Sequence, residues 1–280
     1  MKHHLVVNGL RIHYLEQGQG TPLILLHGTA IDSAHLSYGP SISVFAQHFR
    51  VIAPDWPGYG ESEYPRRALS IQDYVDLLKG LVEQLKLKDF HLLGFSMGGA
   101  VALSYALNHS LRSLTLVSSY GLGKWVHIPF LPFIALRVPT LAASILTGLR
   151  LSKPLTGLVL RYLIFARPSL ATPALIDEVY VQLKKPYVEE AFMKWIQGEV
   201  GLRYFRSNFQ QKLSSLNLPT LLLHGSRDLV IPSVYARKAS EKIPHAKLYV
   251  IPHCGHWVMR EQTQIFQEQT LAFLQTNNSN

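Results

Sequence analysis

Short, mostly apolar runs, each followed by a turn and then a helical stretch, constrain this chain more than any other feature. They fall at Leu23–Leu26, Val51–Ala53, Phe90–Leu93, Leu114–Val117, Leu221–Leu223 and Lys247–Ile251. Runs of this length suit strands covered on both faces, which is what a parallel sheet flanked by helices requires. Between them lie amphipathic stretches. Ile71, Tyr74, Leu77, Leu78, Leu81, Val82 and Leu85 recur at spacings of three and four, one face of a helix. Phe266, Thr270, Phe273 and Leu274 mark a last helix. In front, Leu5-Val6-Val7 and Arg11–Leu15 flank Asn8-Gly9, a hairpin turn signal. The reading is an α/β fold with a mostly parallel, doubly wound sheet.

The alternation lapses between Tyr120 and about Leu216, where four helices are expected, at Leu141–Leu149, Pro154–Phe165, Thr172–Leu183 and Val188–Gly198. That is too much chain for a plain crossover. It predicts a helical cap, 121–216, inserted into a core made of 1–120 and 217–280 and lying over the sheet edge where ligands bind. Charge is concentrated there. Of a net +9, most comes from twelve basic against five acidic side chains between Tyr120 and Leu216, and no Asp or Glu stands between Phe90 and Ile176. No nucleic-acid-binding motif accompanies the charge, so no nucleic-acid partner is expected. A solvated helical face is the plain reading. Weak peripheral contact with an anionic membrane, or an acidic substrate, are the alternatives.

Hydrophobic content of 48% with 16% charged residues excludes a disordered chain. The single cysteine, Cys254, excludes a disulfide framework and a cysteine-cluster zinc site. Neither a signal-peptide run at the start nor the ~20 consecutive apolar residues of a spanning helix is found. A soluble cytoplasmic protein is the expectation.

The chemistry begins where the run Phe90–Leu93 enters Gly94-Phe95-Ser96-Met97-Gly98-Gly99 and then a helix. A serine at a sharp strand-to-helix turn presents its Oγ above the sheet, and glycines two positions either side let strand and helix pass closely. A serine hydroxyl is a weak nucleophile and needs a base, itself oriented by an acid. Among 13 histidines, position selects His256, in the loop after the last strand; His253 is next best. A metal held by His253 and His256 lacks further ligands nearby, so neither metal nor cofactor is expected. Asp228 follows the run Leu221–Leu223 and is the acid. Asp55 also ends a strand but precedes the serine, and it reads as a structural turn residue. The order Ser96, Asp228, His256 distinguishes the arrangement from other serine triads. An oxyanion needs N–H donors. The turn Leu26-His27-Gly28-Thr29-Ala30 can supply one and Met97, at the start of its helix, the other.

These segments, with Asp55-Trp56-Pro57-Gly58-Tyr59-Gly60-Glu61-Ser62 and Cys254-Gly255-His256-Trp257, resemble the α/β-hydrolase fold family with a cap, over nearly the whole chain. The resemblance implies Ser96 as nucleophile, Asp228 as acid, His256 as base, and the amides of Thr29 and Met97 as the oxyanion hole. The serine separates the chain from the haloalkane dehalogenase and epoxide hydrolase branches, which place aspartate there. Ser96-Met97-Gly98-Gly99, Lys185–Phe192 and Cys254–Trp257 resemble meta-cleavage-product C–C hydrolases. Three features depart from them. Phe95 stands where those enzymes carry asparagine, Thr29-Ala30 where their loop is glycine-rich, and no arginine lies near Val179-Tyr180, where theirs holds a dienoate carboxylate. The expected activity is therefore hydrolysis of a lipophilic carboxylic ester, thioester or lactone through an acyl-enzyme. C–C bond hydrolysis is the alternative, and a non-catalytic ligand receptor is the alternative of another class. Phe95, Trp257, Phe130 and Phe133 are the pocket candidates, with Leu158-Val159-Leu160 as a further apolar wall for a small lipophilic substrate.

Overall fold

The computed structural model describes residues 1–65, 67–123, 139–199 and 206–278. Strands β1 (Lys2–Val7), β2 (Leu10–Gln17), β3 (Pro22–Leu26), β4 (Arg50–Pro54), β5 (His91–Phe95), β6 (Ser113–Val117), β7 (Thr220–Gly225) and β8 (Ala246–Ile251) form one sheet in the order β1-β2-β4-β3-β5-β6-β7-β8. The hairpin pairs β1 and β2 antiparallel, and β2 joins β4 antiparallel; every later pairing is parallel. From β3 the chain crosses to β4 on one side, then back to β5 on the other. That reversal is a topological switch point at the carboxyl ends of β3 and β5, the place where such sheets bind ligands.

Both faces of the sheet are covered, and strand alternation sorts the core. Ile24, Leu26, Leu92 and Leu222 point into one apolar cluster, with α2 (Ile71–Gln84), α3 (Met97–Ala106) and α8 (Val234–Ser240). Leu23, Leu25, Leu93 and Leu223 point into the other, with α1 (Ala34–Phe45) and α10 (Thr263–Thr276). Each such side chain is worth about 1.5–3 kcal/mol when fully buried. Helix α2 starts at a reciprocal cap in which Ser70 and Asp73 satisfy each other's backbone amides. Helix α1 does not show in the hydrophobic pattern. It carries Pro40 and Gly39 in its middle and is buried on several sides, so it lacks the single apolar stripe that marks a surface helix. Its first turn is held by side chains: Ser33 accepts from Leu36 N and Asp55 from Ala34 N.

Between β6 and β7 the described residues carry α4 (Pro139–Leu151), α5 (Lys153–Val159), α6 (Pro173–Leu183) and α7 (Val188–Glu199). The helix expected over Pro154–Phe165 is two pieces. After α5 the chain widens into a π turn over Leu160–Ile164, where Phe165 N–H reaches back to Leu160 O at 2.9 Å. A short α9 (Val258–Glu261) precedes α10. No helix among the described residues is long and apolar enough to cross a membrane.

Candidate active site

Ser96 is the residue between β5 and α3, and its backbone shows what the turn demands. Its φ is +51° and ψ −116°, a region that side-chain-bearing residues avoid and that persists only where neighbours over-determine it. Here its N–H donates to Val117 O at 3.0 Å, and its C=O accepts from Gly99, Ala100 and Tyr120 N–H. The flanking glycines are there for space. A Cβ on Gly94 would lie 2.2 Å from Gly98 O, and one on Gly98 would lie 2.4 Å from Leu26 O. Both obstacles are backbone, so they cannot step aside.

Three side chains from separate strand ends converge. His256 Nε2 lies 3.1 Å from Ser96 Oγ, and His256 Nδ1 lies 2.8 Å from Asp228 Oδ2. All three are buried. Asp228 has a full set of donors. Its Oδ1 accepts from Val230 N and Ile231 N, each at 2.8 Å. Its Oδ2 also faces His224 Nε2 at 3.2 Å. Burial alone would raise the Asp228 carboxyl. The electrostatic pull of His256 and the hydrogen bonds of His224 and His256 outweigh it and hold the group well below the usual carboxylate range. The charged carboxylate fixes the imidazole tautomer: Nδ1 carries the proton facing Asp228, and Nε2 is left as the acceptor facing the serine hydroxyl. This arrangement can take a proton from Ser96 Oγ as it attacks a carbonyl.

The turn after β3 lies beside it. The Gly28 amide is taken by Asp32 Oδ2 at 2.7 Å. The Thr29 and Met97 amides donate to nothing among the described residues, which leaves both for a developing oxyanion. Met97 is the first residue of α3, where a helix leaves its amides without internal acceptors. The Thr29 hydroxyl is held by Tyr59 Oη at 2.7 Å.

Asp32, His224 and Glu261 belong to this site's support, and pattern reading does not find them. Asp32 is buried and also accepts from Ser33 N and Ser37 Oγ; burial pushes its carboxyl up from the ordinary value. His224 Nε2 donates to Ile231 O at 2.7 Å while facing Asp228, tying the acid's loop together. Glu261, whose side chain is fully buried, accepts from Gly255 N at 2.7 Å, Arg167 N at 2.8 Å and Ala166 N at 3.1 Å. It thereby joins the segment after the π turn to the loop of His256, whose own N–H donates to Ile164 O at 2.8 Å. The only sequence signal for Glu261 is an acid one turn past His256.

The pocket candidates separate. Phe95 is buried with its ring 5.0 Å from that of His256, against Gly28. Trp257 does not face open space. It is 2% exposed, its Nε1–H donates to Ser37 Oγ at 3.1 Å, and it stacks on Phe165; the need to satisfy a buried indole N–H draws it into the core. Leu158-Val159-Leu160 is not a wall either, because helical periodicity turns Leu160 inward and leaves Leu158 exposed. Phe130 and Phe133 lie outside the described residues. His253 is exposed, and its N–H donates to Ser226 Oγ. Asp55 accepts from His13 Nδ1, Ala34 N and Glu61 N and holds the turn after β4. No group of three or more potential metal ligands is found among the described residues.

Residues 21–262 match the family model described as alpha/beta hydrolase fold. A 2-hydroxy-6-oxo-6-(2'-aminophenyl)hexa-2,4-dienoic acid hydrolase from Metapseudomonas resinovorans is 31% identical, over 95% of this chain and 88% of that one. Among solved structures, a meta-cleavage product hydrolase from Pseudomonas fluorescens IP01 superposes with a TM-score of 0.83 at 26% identity, covering 99% of this chain and 98% of that one. A serine hydrolase involved in carbazole degradation gives 0.80 at 27% identity, covering 99% of both.

Proposed function

Since the chain belongs to the α/β-hydrolase fold family of enzymes, we propose that it is a serine hydrolase that cleaves the C–C bond beside the 6-oxo group of a 2-hydroxy-6-oxo-dienoate. One observation carries this reading over ester hydrolysis. The likeness to the aminophenyl-dienoate hydrolase runs through the helices between β6 and β7 as well as the sheet, over 95% of the chain. Those helices, the cap of this reading, are the part that selects a substrate.

The geometry supplies what such a reaction needs. A carbon leaving group departs only if its electron pair is delocalised, and the 2-hydroxy-dienoate provides this once it has tautomerised to the 2-oxo form. Ser96 Oγ adds to the C6 carbonyl while His256 Nε2 takes its proton. The Thr29 and Met97 amides hold the oxyanion. The C5–C6 bond breaks, its electron pair passes through C4 and C3 onto the C2 oxygen, which receives the proton from His256, and the acyl group stays on Ser96. Water then gives a proton to Nε2, attacks the acyl ester and frees the serine. The products are a carboxylic acid and a 2-hydroxydienoate.

A second reading, hydrolysis of a lipophilic ester, thioester or lactone, is favoured by Phe95 in the place of an asparagine and by α6, which holds no arginine to meet a dienoate carboxylate. The same machinery would serve, with an alkoxide or thiolate leaving. The test is a comparison of kcat/KM for 2-hydroxy-6-oxo-6-phenylhexa-2,4-dienoate and a series of p-nitrophenyl esters. The C–C reading expects the dienoate to lead by at least ~100-fold, about 2.7 kcal/mol of differential transition-state binding. An ester leading by that margin establishes the second reading. Turnover of neither class would favour a ligand receptor.

A further inference from the structure

The geometry points to the outer face of α4, α5 and the π turn as a docking surface for a lipid bilayer with anionic headgroups. Large apolar side chains normally lie exposed singly and scattered. Here eight of the thirteen exposed ones among the described residues fall within 139–187, so the distribution is not a background. They are also ordered. Leu151, Leu155, Leu158 and Tyr162 follow at helical spacing and are exposed by 74%, 38%, 51% and 65%, while Thr156, Gly157 and Leu160 turn inward. The helical segment therefore has two apolar faces, and only one is used by the fold. On α4, Leu141, Ile145 and Gly148 share a face by the same spacing, with Leu141 and Ile145 exposed. Leu155 Cδ2 lies 3.5 Å from where a Cβ on Gly148 would stand, so the two stripes join into one surface.

Charge complementarity names the occupant. Six cations against two acids lie in 139–187, and both acids, Asp177 and Glu178, are on α6. Lys153 pairs with Asp177, and Arg150 Nη1 stands 4.0 Å from Glu189. Arg161, next to Tyr162 in the π turn, has no acidic partner among the described residues. Leucines with an adjacent tyrosine and arginine suit the boundary between acyl chains and headgroups, where apolar stems sink and charged heads stay wet. The segments are too short to span, so the attachment is peripheral and screened by salt within about 10 Å at 0.1 M. Its exposed side chains, Leu151, Leu155, Leu158 and Tyr162, are not among the hydrogen-bond partners of Ser96, Asp228 and His256, and this inference does not depend on which bond those residues cleave.

Co-sedimentation of the full chain with phosphatidylglycerol–phosphatidylcholine vesicles, beside pure phosphatidylcholine vesicles, tests it. Binding to the anionic vesicles at low salt is expected to exceed binding to neutral ones at least tenfold and to fall as salt rises to 0.5 M. Leu155→Ser with Leu158→Ser, and separately Arg161→Glu, are each expected to reduce binding at least fivefold, with melting temperature unchanged. Equal pelleting with both vesicles, or none with either, overturns the proposal. So does undiminished binding by either variant. A solution dimer that Leu158→Ser dissolves would assign the face to a second copy of the chain and equally overturn it.

Discussion

At the scale of single residues, the arrangement depends on which proton sits on which nitrogen. Asp228→Asn tests this, because the local donors dictate how the amide orients. Val230 N and Ile231 N both point at Oδ1, so the asparagine oxygen must stay there and its NH2 must face His256. The imidazole then accepts at Nδ1, carries its proton on Nε2, and can no longer take one from Ser96. Loss of about 10⁴-fold in kcat is expected, on the scale of such tautomer inversions elsewhere, with KM little changed; a loss under tenfold would show that Asp228 does not set the tautomer. Ser96→Ala removes the atom proposed to form the acyl-enzyme, and turnover should fall by on the order of 10⁴-fold or more. Near-wild-type turnover would remove Ser96 from the mechanism. Ser96, Asp228 and His256 are legible in the sequence because each stands just past an apolar strand, and parallel strands bring their carboxyl ends together. Asp32, His224 and Glu261 are not legible in that way. Their partners are set by loop geometry, and for Glu261 by a segment 94 residues away, which no local pattern encodes. Trp257 was misplaced for a related reason: adjacency to the base says nothing about which way an indole N–H must turn to find Ser37.

At the scale of elements, the sheet was readable because buried parallel strands leave continuous apolar runs, and α2 because one face is wet. Helix α1 was not, since burial on several sides erases the stripe. The π turn after α5 was not, since it needs only one wider hydrogen bond inside a helical pattern. That turn matters because the chain leaving it is fastened to the base's loop through Glu261. Replacing Glu261 by Gln keeps the size but sets an NH2 group against a cluster of N–H donors. Leaving a buried donor without an acceptor costs about 1–3 kcal/mol, so a stability loss of about 2 kcal/mol or more is expected in urea unfolding. Because Gly255 N is among those donors and precedes His256, kcat should also fall about tenfold or more while Asp228 is untouched. A variant that loses stability but keeps full kcat would show that Glu261 braces the fold without positioning the base.

At the scale of the whole molecule, acid is the condition that tests how the core was assembled. His91 opens β5 fully buried, its Nδ1 2.7 Å from Ser113 Oγ. Burial pushes it down to about 4 from an ordinary 6.5. His27, at the end of β3, is likewise lowered, by burial against the pull of Asp32 and Asp55. In the unfolded chain such histidines protonate near 6.5, while the folded chain resists. Their contribution is therefore present above pH ~6.5 and is lost as pH falls toward the folded value. For His91 the loss amounts to about 3 kcal/mol between pH 7 and 4. Asp228, depressed below 3.8, acts in a lower window, its contribution lost only as pH falls further. The net +9 with neutral histidines adds self-repulsion as protons bind. Urea unfolding at pH 7, 5 and 4 should show wild-type stability falling over the whole interval. His91→Gln, a side chain that cannot charge, should fall by about 3 kcal/mol less over the same interval, whatever its stability at pH 7. Parallel slopes for the two proteins would mean that His91 binds its proton without opening the sheet.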